Sequence, residues 1–307
     1  MWFAAAVSSA LLFGLAGWWM KVSQMQGGSS VFLFLGLYFS GAAGFAANGV
    51  IEGTLGAAML DPRVWAAGVL IGAGSAIGNA LFMKAIACGP ASLTSPLTNM
   101  NIILVIGLGT FVYDEPLTAF ELSGVLLLLA AVVLISIKRG GQRTRIQPKW
   151  NLYVGLSILL FAVRNGGLKV TDAIGLNGTP VLFAAYLLSF IGFAWIAVRN
   201  RSLVQPLGKI SQAAAASATD DGMMTRLRRA PSVGLKWGLV AGLFSYAGLQ
   251  LYAVALQTGQ ANIAGPIFAA NSLVVAAGSI ALYRERLTAL QWSAFVLMFA
   301  GLILIRM

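Results

Sequence analysis

The 307-residue chain is 59% hydrophobic and 9% charged, with mean hydropathy +0.84 and a formal net charge of +11. A soluble domain carries about 25% charged residues, so most of this chain belongs in lipid, and the missing apolar–polar alternation excludes a β-barrel. The basic residues cluster between apolar runs, as topology signals and anionic-lipid contacts do, without the basic–aromatic stripe of a nucleic-acid partner. Cys88 is the single cysteine and histidine is absent, so no internal disulfide and no His- or Cys-based metal site is expected. No cofactor is expected either.

Taken in order, ten apolar segments long enough to cross a bilayer can be drawn. Residues 2–22 form span 1, 30–50 span 2, and 64–87 span 3 after the Asp61-Pro62 break. Span 4 covers 90–112 and span 5 covers 119–137. A basic, Gly-containing linker at 138–149 leads into span 6 at 151–171 and span 7 at 179–198. Residues 199–236 form the one long hydrophilic segment, expected as a mobile loop. Spans 8, 9 and 10 fall at 235–257, 261–283 and 288–306.

The second half copies the first. Residues 81–137 align with 251–307 at an offset of 170 without a gap, with 17 of 57 positions identical. Gly89, Pro96 and Asn101 meet Gly259, Pro266 and Asn271. Tyr113-x-Glu115-x-Leu117-Thr118 meets Tyr283-x-Glu285-x-Leu287-Thr288. Residues 2–22 align with 150–170 at an offset of 148, so the N-terminal segment is part of the fold rather than a signal peptide. The change of offset places a 22-residue insertion (170 − 148) within 199–236. The expected fold is an all-α membrane protein of ten transmembrane helices in two inverted five-helix repeats, 1–137 and 150–307. An odd number of spans per copy turns the second copy upside down, a common plan for alternating access.

Loops on one side hold or border 16 of the 20 Lys and Arg residues. The positive-inside rule therefore places 138–150 and 199–236 in the cytoplasm of a plasma (inner) membrane protein, with both termini outside.

These features resemble the drug/metabolite transporter superfamily, specifically its ten-span EamA-like group. Pro96 with Glu115-Pro116-Leu117-Thr118, and Pro266 with Glu285-Arg286-Leu287-Thr288, carry the resemblance, and Lys21 and Lys169 at the ends of the first span of each repeat fit it. The resemblance implies a central cavity lined by spans 1, 3, 4, 6, 8 and 9. It also implies small-metabolite export or uptake by alternating access; the partners expected are a small-molecule substrate and the lipid bilayer, with the chain a monomer or homodimer. Members commonly keep their termini in the cytoplasm, which the charge count here opposes, so the direction of transport is open.

Charge within a span is costly, which singles out Arg164 in span 6, beside Asn165 and Gly166-Gly167. Two readings are open: a cavity cation for a carboxylate or phosphate, or a snorkelling arginine. Asn165 and Lys169, which lies about a turn further along, are expected to join Arg164 as substrate contacts. The nine acidic residues avoid the middle of every span, which disfavours proton-coupled export of cationic drugs and a magnesium carrier. Asn79, Asn99, Ser95, Tyr246 and Gln250 are expected to contact the remainder of the substrate. Pro96, Pro266, Asn101 and Asn271 are read as structural or hinge positions, because they repeat. Gly68-x3-Gly72, Gly74-x3-Gly78 and Gly238-x3-Gly242 are read as packing sites, and Thr118 and Thr288 as N-caps.

The function expected is secondary active transport of a small anionic or zwitterionic metabolite, an amino acid, organic acid or phosphorylated compound. The alternatives are a flippase for a lipid-linked substrate or a non-transporting membrane interaction protein. An enzyme is not expected, for want of intramembrane acid–base groups.

Overall fold

The structure, a computed structural model, describes residues 1–88, 94, 97–136, 147–199, 220–283 and 289–306. Every regular element among them is a helix. The first half supplies α1 (Trp2–Met25), α2 (Ser30–Ile51), the single turn α3 (Leu55–Ala58), α4 (Pro62–Cys88), α5 (Asn101–Val112) and α6 (Ala119–Ser136). The second supplies α7 (Lys149–Ala173), α8 (Gly178–Arg199), α9 (Asp220–Thr258), α10 (Ala261–Ala269), α11 (Asn271–Tyr283) and α12 (Ala289–Arg306). Six of these are long and apolar enough to cross a membrane: α1, α2, α4, α7, α8 and the 229–258 part of α9. Shorter apolar helices lie at Leu97–Val112, Ala119–Leu134, Ala261–Val275 and Trp292–Ile305.

Local chemistry sets the helix ends. Asp61 precedes Pro62 and accepts the Arg63 backbone N–H at 2.8 Å, so proline occupies the first helical position, where its missing donor costs nothing. The Arg63 guanidinium also forks onto this carboxylate and holds its pKa below the ordinary value. Thr118 and Glu121 form a reciprocal capping box at the start of α6, each accepting the other's backbone N–H at 3.2 and 2.8 Å. Thr288 lies outside the described residues.

The turns after α1 and α7 are the same object made twice. Gln26, Gly27 and Gly28 donate to Val22, Gln24 and Ser23; Ile174, Gly175 and Leu176 donate to Val170, Asp172 and Thr171. Each bond recurs at the offset of 148 residues. Gly27 and Gly175 take φ of 75° and 77°, the left-handed cap that a side chain resists.

Packing between the halves has the same exchange symmetry. The main contacts are α2 with α9, α1 with α9, α4 with α7, α4 with α8, α2 with α8, and α6 with α12. Swapping the halves turns the α2–α9 contact into α8–α4 and the α1–α9 contact into α7–α4, while α2–α8 and α6–α12 map onto themselves. Small residues permit the close crossings, as expected. A Cβ on Gly36 would lie 2.7 Å from the Leu235 carbonyl, and one on Gly72 would lie 2.7 Å from that of Ala185. Gly238 and Gly242 abut Leu33 and Leu37, and Gly74 and Gly78 abut Leu160 and Phe161.

Two boundaries differ from expectation. The helix containing span 8 begins at Asp220, not near 235, and runs 39 residues with Pro231 inside it. Met, Leu, Arg and Ala in 223–230 are good helix formers and carry α9 back into the hydrophilic segment. Residues 137–146 and 200–219, most of the linker and of the expected loop, lie outside the described residues. The helix at 261–283 is broken at Ala270, and the first half breaks at the equivalent Met100. Pro266 removes one backbone donor from α10. At the break, the Asn271 side chain donates to the Phe268 carbonyl at 2.7 Å, and Asn101 does the same to Thr98 at 2.6 Å.

Candidate functional site

The interior is organised around one cation. Gly74 lets α4 approach α7 so closely that a Cβ there would lie 2.6 Å from the Leu160 carbonyl and 3.0 Å from the Arg164 nitrogen. Arg164 is only 8% exposed. Its Nε donates to Asn165 Oδ1 at 3.0 Å, Asn165 Nδ2 donates to Asn101 Oδ1 at 2.8 Å, and Asn101 closes on the Thr98 carbonyl. Each amide accepts on one side and donates on the other, so the relay fixes both asparagines and ties α7 to the helix break at Met100.

The guanidinium lies over two aromatic rings, Phe161 at 4.8 Å and Phe13 at 5.3 Å. These phenylalanines are equivalents at the 148 offset, and each packs against an equivalent glycine, Gly78 and Gly248. Cation–π attraction of about 2 kcal/mol in a desolvated setting offsets part of the burial cost. Among the described residues no carboxylate pairs with Arg164, and its two Nη groups donate to no acceptor.

Three buried tyrosines share the interior with this charge: Tyr186, Tyr38 and Tyr252. Tyr38 bonds Ser75 at 2.9 Å and accepts from Asn79 at 3.0 Å; Tyr186 bonds Ser245 at 2.6 Å. The first two tyrosine rings meet edge to face at 5.2 Å. Tyr252 stacks on Phe268 at 4.4 Å, and its hydroxyl is buried without a partner among the described residues.

The structure therefore gathers Arg164, Asn165 and, through Tyr38, Asn79. It adds Asn101, expected only as a structural position, which serves both the break and the relay. Lys169 is committed elsewhere: its Nζ lies 2.9 Å from Glu115 Oε1, 3.4 Å from the Leu256 carbonyl and 5.8 Å from the centre of the Tyr113 ring. Glu115 is 9% exposed, and its other oxygen accepts the Asn262 N–H at 3.0 Å. This ion pair joins the halves, and the sequence reading of Glu115 as a turn residue alone missed it. Tyr246 lies against Gly44 and edge-on to Phe45 at 4.9 Å. Gln250 bonds Thr179 at 2.8 Å, and Asn99 is partly buried. Ser95 and Pro96 lie outside the described residues. Reasoning from charge passed over Tyr38, Tyr186, Phe13 and Phe161, although their recurrence at 148 was available as a signal.

The family comparison covers both repeats, matching residues 1–137 and 157–307 to the EamA-like transporter family. The chain belongs to that family. This EamA-like protein is thus an integral membrane protein of a transporter family, consistent with its apolar helices. Among solved structures, a crystal structure described only as that of a protein matches with a TM-score of 0.71 at 16% identity, covering 99% of this chain and 95% of the other. At that identity the likeness shows the fold alone. No curated protein matches the chain.

Proposed function

We propose that this protein is a secondary active transporter that moves a small anionic or zwitterionic metabolite by alternating access, with Arg164 as the anchor for the anionic group. The chain would cross the membrane ten times as two inverted repeats, 1–137 and 150–307, with 138–150 and 199–236 in the cytoplasm. The observation that carries the reading is a buried guanidinium whose two Nη groups donate to no acceptor among the described residues, in a fold whose symmetry does not require it. Its equivalent in the first half is Ala16, so packing alone does not demand the charge. A carboxylate or phosphate offers a bidentate acceptor for this fork. Asn165 fixes Nε and thereby orients the fork, while the unpartnered Tyr252 hydroxyl and the Tyr38–Asn79 pair supply further polar contacts.

Alternating access needs each half to move against the other around a fixed site. The equivalent breaks at Met100 and Ala270 interrupt the helical hydrogen-bond ladders at matched positions, one in each repeat. They provide paired flexing points beside the site, and the relay through Asn101 couples occupancy of Arg164 to one of them.

The test is a thermal-shift screen of purified protein against amino acids, organic acids, phosphorylated sugars and cationic drugs, repeated in Arg164→Ala. Stabilisation by compounds bearing a carboxylate or phosphate is expected. In the variant their affinity should fall at least about thirtyfold, as when one partner of a desolvated charge pair is removed. Stabilisation by cations alone, or by anions equally in both proteins, would remove Arg164 from the site.

A further inference from the structure

We infer that the protein has a second binding site, a vestibule centred on Glu52 and Gln250 that takes the ammonium group of an amino-bearing solute. The inference rests on the transport reading and narrows its substrate class to zwitterions. A cavity of about 250 Å³ opens where the loop after α2 meets the start of α8 and the outer part of α9. Glu52, Thr54, Asn177, Thr179, Gln250 and Gln257 supply its polar lining.

Three features set its chemistry. The lining contains one charged side chain, Glu52, and no Lys or Arg among the described residues. Asn48 Nδ2 holds one carboxylate oxygen at 2.7 Å and Thr54 the other at 3.4 Å, so the acid is positioned but not neutralised. Glu52 also caps the C-terminal end of α2, where the helix dipole is itself negative. The local potential therefore favours a cation. Gln250, in the same lining, donates its Nε2 to Thr179 at 2.8 Å, and its Oε1 is buried and has no partner among the described residues. A primary ammonium carries three donors and suits a carboxylate and an unpartnered amide oxygen beside one cavity.

Size decides against a bare metal ion. A water occupies about 30 Å³ of liquid, so the cavity is several times larger than a dehydrated monovalent ion and has room for an organic group. Capture here would precede binding at Arg164. Along α9, Gln250 is five residues from Ser245, the partner of Tyr186, a rise of about 7.5 Å. Tyr246 lies between them in the chain. A zwitterion held first by its ammonium at Glu52 would then present its carboxylate towards Arg164.

The experiment uses purified full-length protein and three probes with one carbon skeleton: leucine, 3-methylbutylamine and 4-methylpentanoate. Binding is read by calorimetry in sodium-free buffer and again with added sodium. Wild type should bind the amine and leucine. Glu52→Gln, an isosteric change at an exposed position, should weaken amine binding about tenfold or more, the scale of a charge-assisted contact. Gln250→Met should weaken it by a smaller factor. Equal amine binding in wild type and Glu52→Gln overturns the vestibule, as does the absence of amine binding or heat from sodium alone. The acid probe reports separately on Arg164, so failure of the vestibule and failure of the anion anchor give different patterns.

Discussion

Laid over one another at offsets of 148 and 170, the two halves agree at contacts that hold helices together and differ where polar groups face the interior. Tyr38 with Ser75 recurs as Tyr186 with Ser245, and each hydroxyl pair is hydrogen bonded. Phe45 lies edge-on to Tyr186 at 5.0 Å, and its equivalent Phe193 stacks on Tyr38 at 5.6 Å. Against that agreement, Arg164 and Asn165 correspond to Ala16 and Gly17, Asn79 to Leu249, and Tyr252 to Phe82. Repeated features are those both copies need in order to pack. The polar set present once has no such explanation, and one of its members, Asn165, bonds Arg164 directly. Duplication supplied a two-fold frame, and on the transport reading its departures are where a solute without two-fold symmetry would be bound.

The comparison can be broken most severely at the ion pair between Glu115 and Lys169. Lys169→Ala leaves a buried carboxylate uncompensated, for an expected loss of about 3–5 kcal/mol of stability, measured by unfolding in lipid–detergent micelles. The double variant Lys169→Ala/Glu115→Gln should recover part of that loss. Lys21→Ala, at the equivalent position, tests whether the pair belongs to the shared frame: a loss of similar size places it there, and a small one makes it a device of one half. The glycine crossings come next. Gly72→Val and Gly242→Val drive a side chain into a facing backbone, with an expected cost of about 1–3 kcal/mol each. Near-equal losses are predicted, because α4 against α8 and α9 against α2 are the same crossing. A cost confined to one of them would end the claim that the crossings are equivalent.

Much of this frame is legible in the chain, for a physical reason. Lipid forces long apolar runs, and duplication doubles every signal, so helices such as α2 and α12 begin and end within a residue or two of expectation. Arg164 stands out because an arginine inside an apolar run is costly. Three things were not legible. The start of α9 lies in polar sequence, where hydropathy is silent and only propensity acts. The burial of Glu115 depends on α10 arriving from 147 residues away to meet it. The phenylalanines beneath the guanidinium, Phe161 and Phe13, read as ordinary aromatic residues until the halves are folded together. Gln250 stands out as polar within an apolar run, yet only the fold shows that it shares a cavity lining with Glu52.

Smaller effects divide the frame from the site more finely. Tyr38→Phe and Tyr186→Phe each strip a serine of its partner, at about 1 kcal/mol of stability. Their effects on binding should diverge. Tyr38 also accepts from Asn79, so its loss frees a donor beside the site, whereas among the described residues the Tyr186 hydroxyl bonds Ser245 alone. Calorimetric titration with 4-methylpentanoate should therefore show a several-fold weaker affinity in Tyr38→Phe and little change in Tyr186→Phe. Parallel changes in both would mean that the hydroxyls act only as braces.

The finest test uses the pair that is most alike. Asn101 and Asn271 make the same bond to the carbonyl three residues back, so Asn101→Ala and Asn271→Ala should each lose a similar small stability, about 0.6 kcal/mol for a membrane hydrogen bond. Asn101 has a second task, since its Oδ1 accepts from Asn165, which in turn holds the Arg164 Nε. Removing it lets the Asn165 amide turn and releases the guanidinium from its fixed direction. Anion affinity should therefore fall in Asn101→Ala and persist in Asn271→Ala, although the two variants unfold at nearly the same temperature. Equal affinities would show that the relay does not orient the anchor, and the asymmetry between the halves would then rest on the charge of Arg164 alone.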